Sequence, residues 1–234
     1  ALTGTVSEDI SSTTDAMSSD VTIAVCPAPL SKGFPFEAAA NMAALVARIA
    51  QDSPHLDVSG QLYPDMPTPT SIGAMADYAN RDAIVKKGCS TVDLVAGKYK
   101  VQDLVTTYHP AGETPPQFRY VRNLLLDFNV RYGYYLLEQT NVVDHVIAND
   151  ADIVSASKVI KPKQWKQILF NYFESLVNRG LVVEASFSQT SLQVGLSTTN
   201  PDRLETSFRY KRSGIARIAS TTAEAGFNFG TLNQ

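Results

Sequence analysis

The sequence predicts a mixed α/β fold of the α+β kind: a central mixed sheet packed by three or four helices, one of them a long spine, with an arm at each end. Three observations predict it. Apolar residues recur three and four apart in the stretches 37–52, 118–146 and 161–180, the spacing of a buried helical face. Short β-branched and aromatic runs lie between these helical stretches, so strands and helices are interleaved. The stretch TTNPDRLETSFRYKRSGIARIA (198–219) alternates, with Leu204, Thr206, Phe208 and Tyr210 on one side and Arg203, Glu205, Ser207, Arg209 and Lys211 on the other. That is the pattern of a half-buried strand. At 234 residues, 44% hydrophobic and 18% charged, the chain can bury a substantial core. Its net charge of −3 argues against a protein whose main task is to grip nucleic acid. No apolar run approaches the ~18 residues of a membrane span.

Residues 1–20 carry Glu8, Asp9, Asp15 and Asp20 among many Ser and Thr, and read as an extended or mobile arm with no signal-peptide pattern. VTIAVCP (21–27) is a buried strand ended by proline. EAAANMAALVARIAQD (37–52) puts Met42, Leu45, Val46 and Ile49 on one helical face, with Pro35 at the first turn. YPDMPTPTS (63–71) is an irregular connector. A second helix is expected from about Ile72 to Lys87, capped by Ser71 and stopped by Gly88. A hairpin follows around Ala96-Gly97-Lys98.

The spine is expected to start at Thr114-Pro115-Pro116-Gln117, where Thr114 and Gln117 form a capping box. Phe118, Val121, Leu125, Phe128, Tyr132, Tyr135, Val142 and Val146 then fall at alternating steps of three and four. Over about thirty residues such a helix is ~45 Å long. Its stripe reads as a coiled-coil seam or as core, and core is the expectation. The third helix buries Trp165, Ile168, Leu169, Tyr172, Phe173, Leu176 and Val177 and ends at Gly180. Strands at LVVEAS (181–186), SLQVGL (191–196), the alternating stretch and a last piece around Phe227 and Phe229 close the chain.

Sites of chemistry are sparse. Cys26 and Cys89 sit in apolar contexts and read as buried free thiols. His55, His109 and His145 stand alone, without further ligands at zinc spacing. No phosphate-binding glycine loop and no nucleophile elbow is present. No cofactor or metal is expected, and the chain does not read as an enzyme. Between Lys158 and Arg179, Lys158, Lys161, Lys163, Lys166 and Arg179 face Glu174 alone, either a solvated helix face or a basic docking strip.

The order of several stretches resembles the C-terminal half of contractile phage tail sheath proteins, most nearly the Mu-like branch. NRDAIVKKGCSTVDL (80–94) looks like that family's helix, glycine and strand. YKVQDLVTTYH (99–109) resembles its hairpin strand ending in Thr-Thr-Tyr, here Thr106, Thr107 and Tyr108. FRYVRNLLLDFNVRYGY (118–134), VIKPKQWKQILFNYFESLVNRGLV (159–182) and NPDRLE (200–205) match its next three motifs in order. A full sheath subunit is expected to be longer. The resemblance covers roughly 21–230, and the expected division of the chain is an N-terminal arm (1–20), a sheath-like core domain (21–222) and a C-terminal arm (223–234).

The resemblance implies a structural subunit of a virion tail, assembled in the host cytoplasm. Copies would stack helically around a tail tube and contract to drive it through the host envelope, with baseplate and tail terminator proteins as further partners. Neither nucleic acid binding nor membrane insertion is implied. In that family terminal arms add strands to neighbouring subunits. This makes Leu204, Phe208, Tyr210, Ile215, Ile218, Phe227 and Phe229 the expected joining residues, and Lys161, Lys163 and Lys166 the expected tube-facing strip. The alternatives are a type VI secretion or bacteriocin-type sheath, a non-polymerising adaptor at the tail, and an α/β hydrolase-like enzyme.

Overall fold

The computed structural model describes residues 1–8, 19–63, 65–110, 117–217 and 219–221. Two hydrophobic clusters organise them, one built from residues 25–104 and the other from 126–192. A single long helix carries side chains into both.

In the first cluster, β1 (Leu2–Thr5) pairs in parallel with β2 (Ala24–Pro27), Leu2 opposite Ala24. The amino group of Ala1 reaches the carbonyl of Thr22, and Thr5 is buried. The first residues are therefore extended, and they lie along their own chain. Helix α1 (Pro35–Asp52) starts with proline, and the Glu37 carboxylate accepts the Phe34 N–H at 2.8 Å. Met42, Leu45, Val46 and Ile49 are buried as the spacing predicts.

The expected helix at 72–87 is shorter. Gly73–Ala76 forms a 3₁₀ turn, and α2 runs only over Tyr78–Lys86. Gly73 sits at φ +57, and Asp77 caps α2 by accepting the Ala79 N–H, so the chain breaks between the two pieces. Gly88 stops α2 at φ +81. Strands β3 (Thr91–Val95) and β4 (Lys98–Asp103) form the expected hairpin. Ala96 and Gly97 both take positive φ, as a two-residue turn matching strand twist requires. The segment at 60–63 covers the far edge of β4, with Gly60 N–H donating to Val101 O at 2.7 Å and Tyr63 N–H to Tyr99 O at 2.7 Å.

The spine is α3, Val121–Asn141, 21 residues or roughly 31 Å. Its N-cap is Tyr120, so Gln117 precedes the helix, and Thr114 lies outside the described residues. It ends before Val142 because Asp144 takes φ +58; Val146 belongs instead to β5 (Val146–Ile147), paired in parallel with β6 (Val159–Ile160). The expected core stripe is displaced. Arg122, Leu126, Asp127 and Val130 are buried, while Phe128, Tyr132 and Tyr135 are 58%, 63% and 51% exposed. Leu124, Leu125 and Leu126 are consecutive, so the apolar pattern alone supports two neighbouring faces, and the partner cores selected one.

Helix α4 (Pro162–Asn178) buries Trp165, Leu169, Tyr172, Phe173 and Leu176 in the second cluster, with Ile168 and Val177 packed at its margin. A side chain such as Phe173, fully buried, contributes about 1.5–3 kcal/mol. The expected strand at 181–186 shortens to β7 (Val182–Val183), because Glu184 adopts φ +54 and turns the chain into α5 (Ala185–Ser191). Then β8 (Gln193–Leu196) pairs antiparallel with β9 (Leu204–Ser207), and β10 (Lys211–Arg212) with β7. The class is mixed α+β, with five α-helices and five two-stranded sheets among the described residues. Two-stranded pairs, two of them parallel, take the place of a central mixed sheet.

Candidate assembly site

The late chain alternates as its sequence requires. Leu204, Thr206, Phe208 and Tyr210 are half-buried, and Glu205, Ser207, Arg209 and Lys211 are exposed. The half-buried side packs onto the second cluster. Phe208 lies 5.1 Å from Phe173 and 5.5 Å from Tyr134 between ring centroids, and Thr206 Oγ1 accepts the Trp165 indole N–H at 3.0 Å. Leu204, Phe208 and Tyr210 thus spend their side chains within their own chain. Ile215 is half-buried further on, and Ile218, Phe227 and Phe229 lie outside the described residues.

The backbone of this hairpin is less occupied. Ser197 N–H donates to Arg203 O at 3.0 Å, and antiparallel pairing alternates. The residues opposite at 195/205 and 193/207 therefore exchange hydrogen bonds, while Val194, Leu196, Leu204 and Thr206 direct N–H and C=O outward. The sheet has two strands, so its outer edges lack a strand partner among the described residues. Beside it lies an open groove of about 720 Å³, lined by Tyr134, Glu138, Val194, Arg203, Glu205 and Thr206 among others.

Past β9, three arginines fasten the chain across both clusters. Arg212 grips buried Asp127 with two bonds, 2.8 Å from Nε and 2.6 Å from Nη2, and Tyr210 donates its hydroxyl to the same carboxylate at 2.7 Å. The Asp127 bond raises the Arg212 pKa against the opposing effect of burial. Burial, reinforced by Asp127, pushes Tyr210 up to about 12. Arg122, buried on α3, donates to His55 O at 3.0 and 2.7 Å, to Ser213 O at 2.7 Å and to Ser213 Oγ at 2.8 Å. Burial lowers its pKa, partly offset by Asp57. Arg217 bonds Asp103 at 2.8 Å, pairs with buried Asp57 and stacks 3.7 Å from the Tyr120 ring centroid. Sequence reasoning missed this network, since Arg212 and Asp127 are 85 positions apart and Arg217 and Asp57 are 160 apart.

The lysine strip makes contacts within its own chain. Lys161 Nζ donates to Asp152 O, the Lys163 backbone N–H donates to Asp150 Oδ1 at 2.9 Å, and Lys166 lies 5.7 Å from the Phe170 ring centroid. Cys26 and Cys89 are both buried and form no disulfide; burial, then Cys89, pushes the Cys26 thiol up to about 12. Among the described residues no group of three or more His, Cys, Asp or Glu is placed to hold a metal ion. Nor is any of the described helices long and apolar enough to cross a membrane.

No protein-family model matches the chain, and no curated protein matches it in sequence. Solved structures do match in fold. A chain of the baseplate of the anti-feeding prophage is 11% identical with a TM-score of 0.58, over 89% of this chain and 56% of that one. A chain of the sheath complex of PVC, an extracellular contractile injection system in its contracted state, is 12% identical with a TM-score of 0.64, over 92% and 59%. The sheath tail protein of Desulfitobacterium hafniense is 12% identical with a TM-score of 0.53, over 83% and 46%. The chain thus has a fold found in components of contractile injection systems, sheath proteins among them. It spans 46% to 59% of the length of those chains.

Proposed function

We propose that this chain is a structural subunit of a contractile sheath, polymerising helically around a tube and contracting to drive it forward. The observation that carries the reading is the shared fold across 92% of the chain with a sheath complex. The ordered motifs from residue 80 to residue 205 refine it to the C-terminal half of a Mu-like phage tail sheath, a virion component assembled in the host cytoplasm. A type VI or bacteriocin-type sheath is the same reading in another particle. The hydrolase-like alternative needs an enclosed polar pocket, whereas the groove beside β8 and β9 is open.

Joining then uses backbone. The outward groups of Leu204 and Thr206 offer an edge on which a neighbour's strand can add, and free edges of this kind are otherwise covered or charged. The tail around Phe227 and Phe229, together with Ile218, supplies the donor, and Ile215 lies just before it, between the anchors at Ser213 and Arg217. Lys161, Lys163 and Lys166 face the tube, and baseplate and terminator proteins bound the polymer. Electron micrographs of the purified protein should show tubes or rings, and deleting the residues after Ala219 should abolish them. Unchanged tubes from the truncated chain would remove the strand-exchange assignment. In the same micrographs, K161E/K163E/K166E should keep the fold and lose tube decoration; loss of folding would make the strip structural.

A further inference from the structure

Two helices of this chain present largely uncovered apolar faces, with only Phe36 at the start of α1 stacked on another ring, that of Phe34 at 5.3 Å, and the two faces match in spacing. On α3, Phe128, Tyr132 and Tyr135 are exposed, Gln139 continues the row, and Leu136 lies beside it at 45% exposure. On α1, the face opposite Met42, Leu45 and Ile49 carries exposed Phe36, Ala40, Ala43 and Ala47, with Ala44 alongside. Both rows advance by four, three and four residues, the repeat of helices that pack at a shallow angle. One row is large and aromatic; the other, after Phe36, is alanine throughout.

We infer that these faces are the two halves of one contact between copies of this chain, with α3 of one copy seated on α1 of the next. The inference rests on the polymer reading above and names a contact that is separate from the strand edges. Its carrier is complementarity of size at equal spacing. Aromatic side chains on one helix need shallow positions on the other to bring the axes within ~8–10 Å, and a run of alanines supplies them. An α3–α3 pairing would set ring against ring. It would also be a closed two-fold contact, whereas joining two different faces is head-to-tail and continues without limit. A sheath needs the second kind.

Magnitude sets where the contact matters. Three aromatic side chains at half to two-thirds exposure offer roughly 350 Å², given 150–250 Å² for full burial of each. With Phe36, Leu136 and the matching surface of the partner the contact totals roughly 1,000 Å², the lower limit of a specific interface. It is weak in a single pair and gains its effect by repetition along the polymer.

The test is sedimentation velocity on the full chain, below the concentration at which tubes form, with Tyr132→Glu blocking the α3 face and Ala43→Glu blocking the α1 face. Both positions face solvent, so thermal melts should be unchanged, and Tyr135→Glu with Ala47→Glu serve as replacements if either variant folds poorly. Each variant alone should self-associate at least roughly tenfold more weakly than the natural chain, since central aromatic positions dominate such contacts. A mixture of the two, with the residues after Ala219 deleted from both so that the strand contact is absent, should form a one-to-one pair and grow no further, because one intact α3 face then meets one intact α1 face. If Ala43→Glu associates normally while Tyr132→Glu does not, α3 meets something other than α1 and the inference fails. It also fails if the mixture does not restore the pair. Normal tubes from both variants would overturn the helix contact while leaving the sheath reading standing.

Discussion

Arg122→Met should loosen the joint between the two hydrophobic clusters. Arg122 stands on α3 at the point where that helix passes from one cluster to the other; its neighbours Val121 and Leu125 pack on the first and Leu126 on the second. Its guanidinium donates to His55 O on the first side and to both oxygens of Ser213, and Ser213 in turn donates to Gly180 O at 2.6 Å on the second. Methionine keeps an unbranched stem of similar length and removes every donor. Two part-buried carbonyl acceptors then lose their partners, at about 1–3 kcal/mol each. Against this, the folded state no longer desolvates a cation, a cost already visible in the lowered Arg122 pKa. The net loss should be about 2–4 kcal/mol, and for a chain of this size that lowers the melting midpoint by roughly 5–12 °C. Trp165, the single tryptophan, lies in the second cluster, so its fluorescence reports that half while far-UV circular dichroism reports the whole. Urea unfolding of the natural chain should give coincident curves from the two probes, and the variant should separate them. Coincident curves with a loss below about 1 kcal/mol would show that apolar contact alone joins the clusters, since that is the size of one ordinary hydrogen bond.

Two further outcomes follow from close contacts and charge. Gly4→Ala would drive a Cβ into the carbonyl oxygen of Pro35 and to 2.9 Å from Ala39 N. It should cost about 1–3 kcal/mol through forced displacement of β1. Amide exchange should then quicken at Ala24, Ala28 and Leu30, whose N–H groups donate to the carbonyls of Ala1, Thr5 and Val6; unchanged exchange there would show that α1 moves instead. Burial raises the Asp103 pKa, with Arg217 opposing and Asp57 reinforcing. The folded chain therefore holds that proton more tightly than the unfolded one, so the stability linked to it is complete below the ordinary carboxylate range near ~4 and is lost as pH rises through the folded value. Asp103→Asn keeps an oxygen for Arg217 and removes this loss. The variant should gain on the natural chain in urea midpoints as pH rises above ~4, and a difference that does not change with pH would refute the assignment.

Local signals in the sequence located most elements well. Pro35, Gly88, Gly97 and Gly180 punctuate the chain where single-residue chemistry demands it, and the structure places a helix start, a stop, a turn and a stop there. The apolar faces of α1 and α4 were legible because each has one strong stripe. The break before α2 was harder to read, because Asp77 competes with Ser71 as a cap and Gly73 permits a conformation that the apolar spacing does not reveal. Helix α5 was missed because Ser, Gln and Thr dominate it and the left-handed residue that starts it, Glu184, carries no sequence mark. At the candidate site the alternation from Leu204 to Lys211 was legible, while the arginine clamps were not. A carboxylate 85 or 160 positions away leaves no local trace in a sequence.

The misplaced stripe on α3 is informative for the same physical reason that it misled. A helix facing water on one side should be polar there, and this one shows Phe128, Tyr132 and Tyr135 where polar residues belong. Its opposite face already carries Leu126 and Val130 into the second cluster, so the exposed rings add nothing to the core. A sequence that is apolar on both sides of a helix is consistent with a single folded chain only at a cost in solubility, and that cost is removed when a second surface covers the outer side. The strand edges at β8 and β9 raise the same demand in backbone hydrogen bonds. Both features are explained together if the folded chain is a unit of a polymer, with its own core fastened by Arg122, Arg212 and Arg217 and its outer faces left for neighbours.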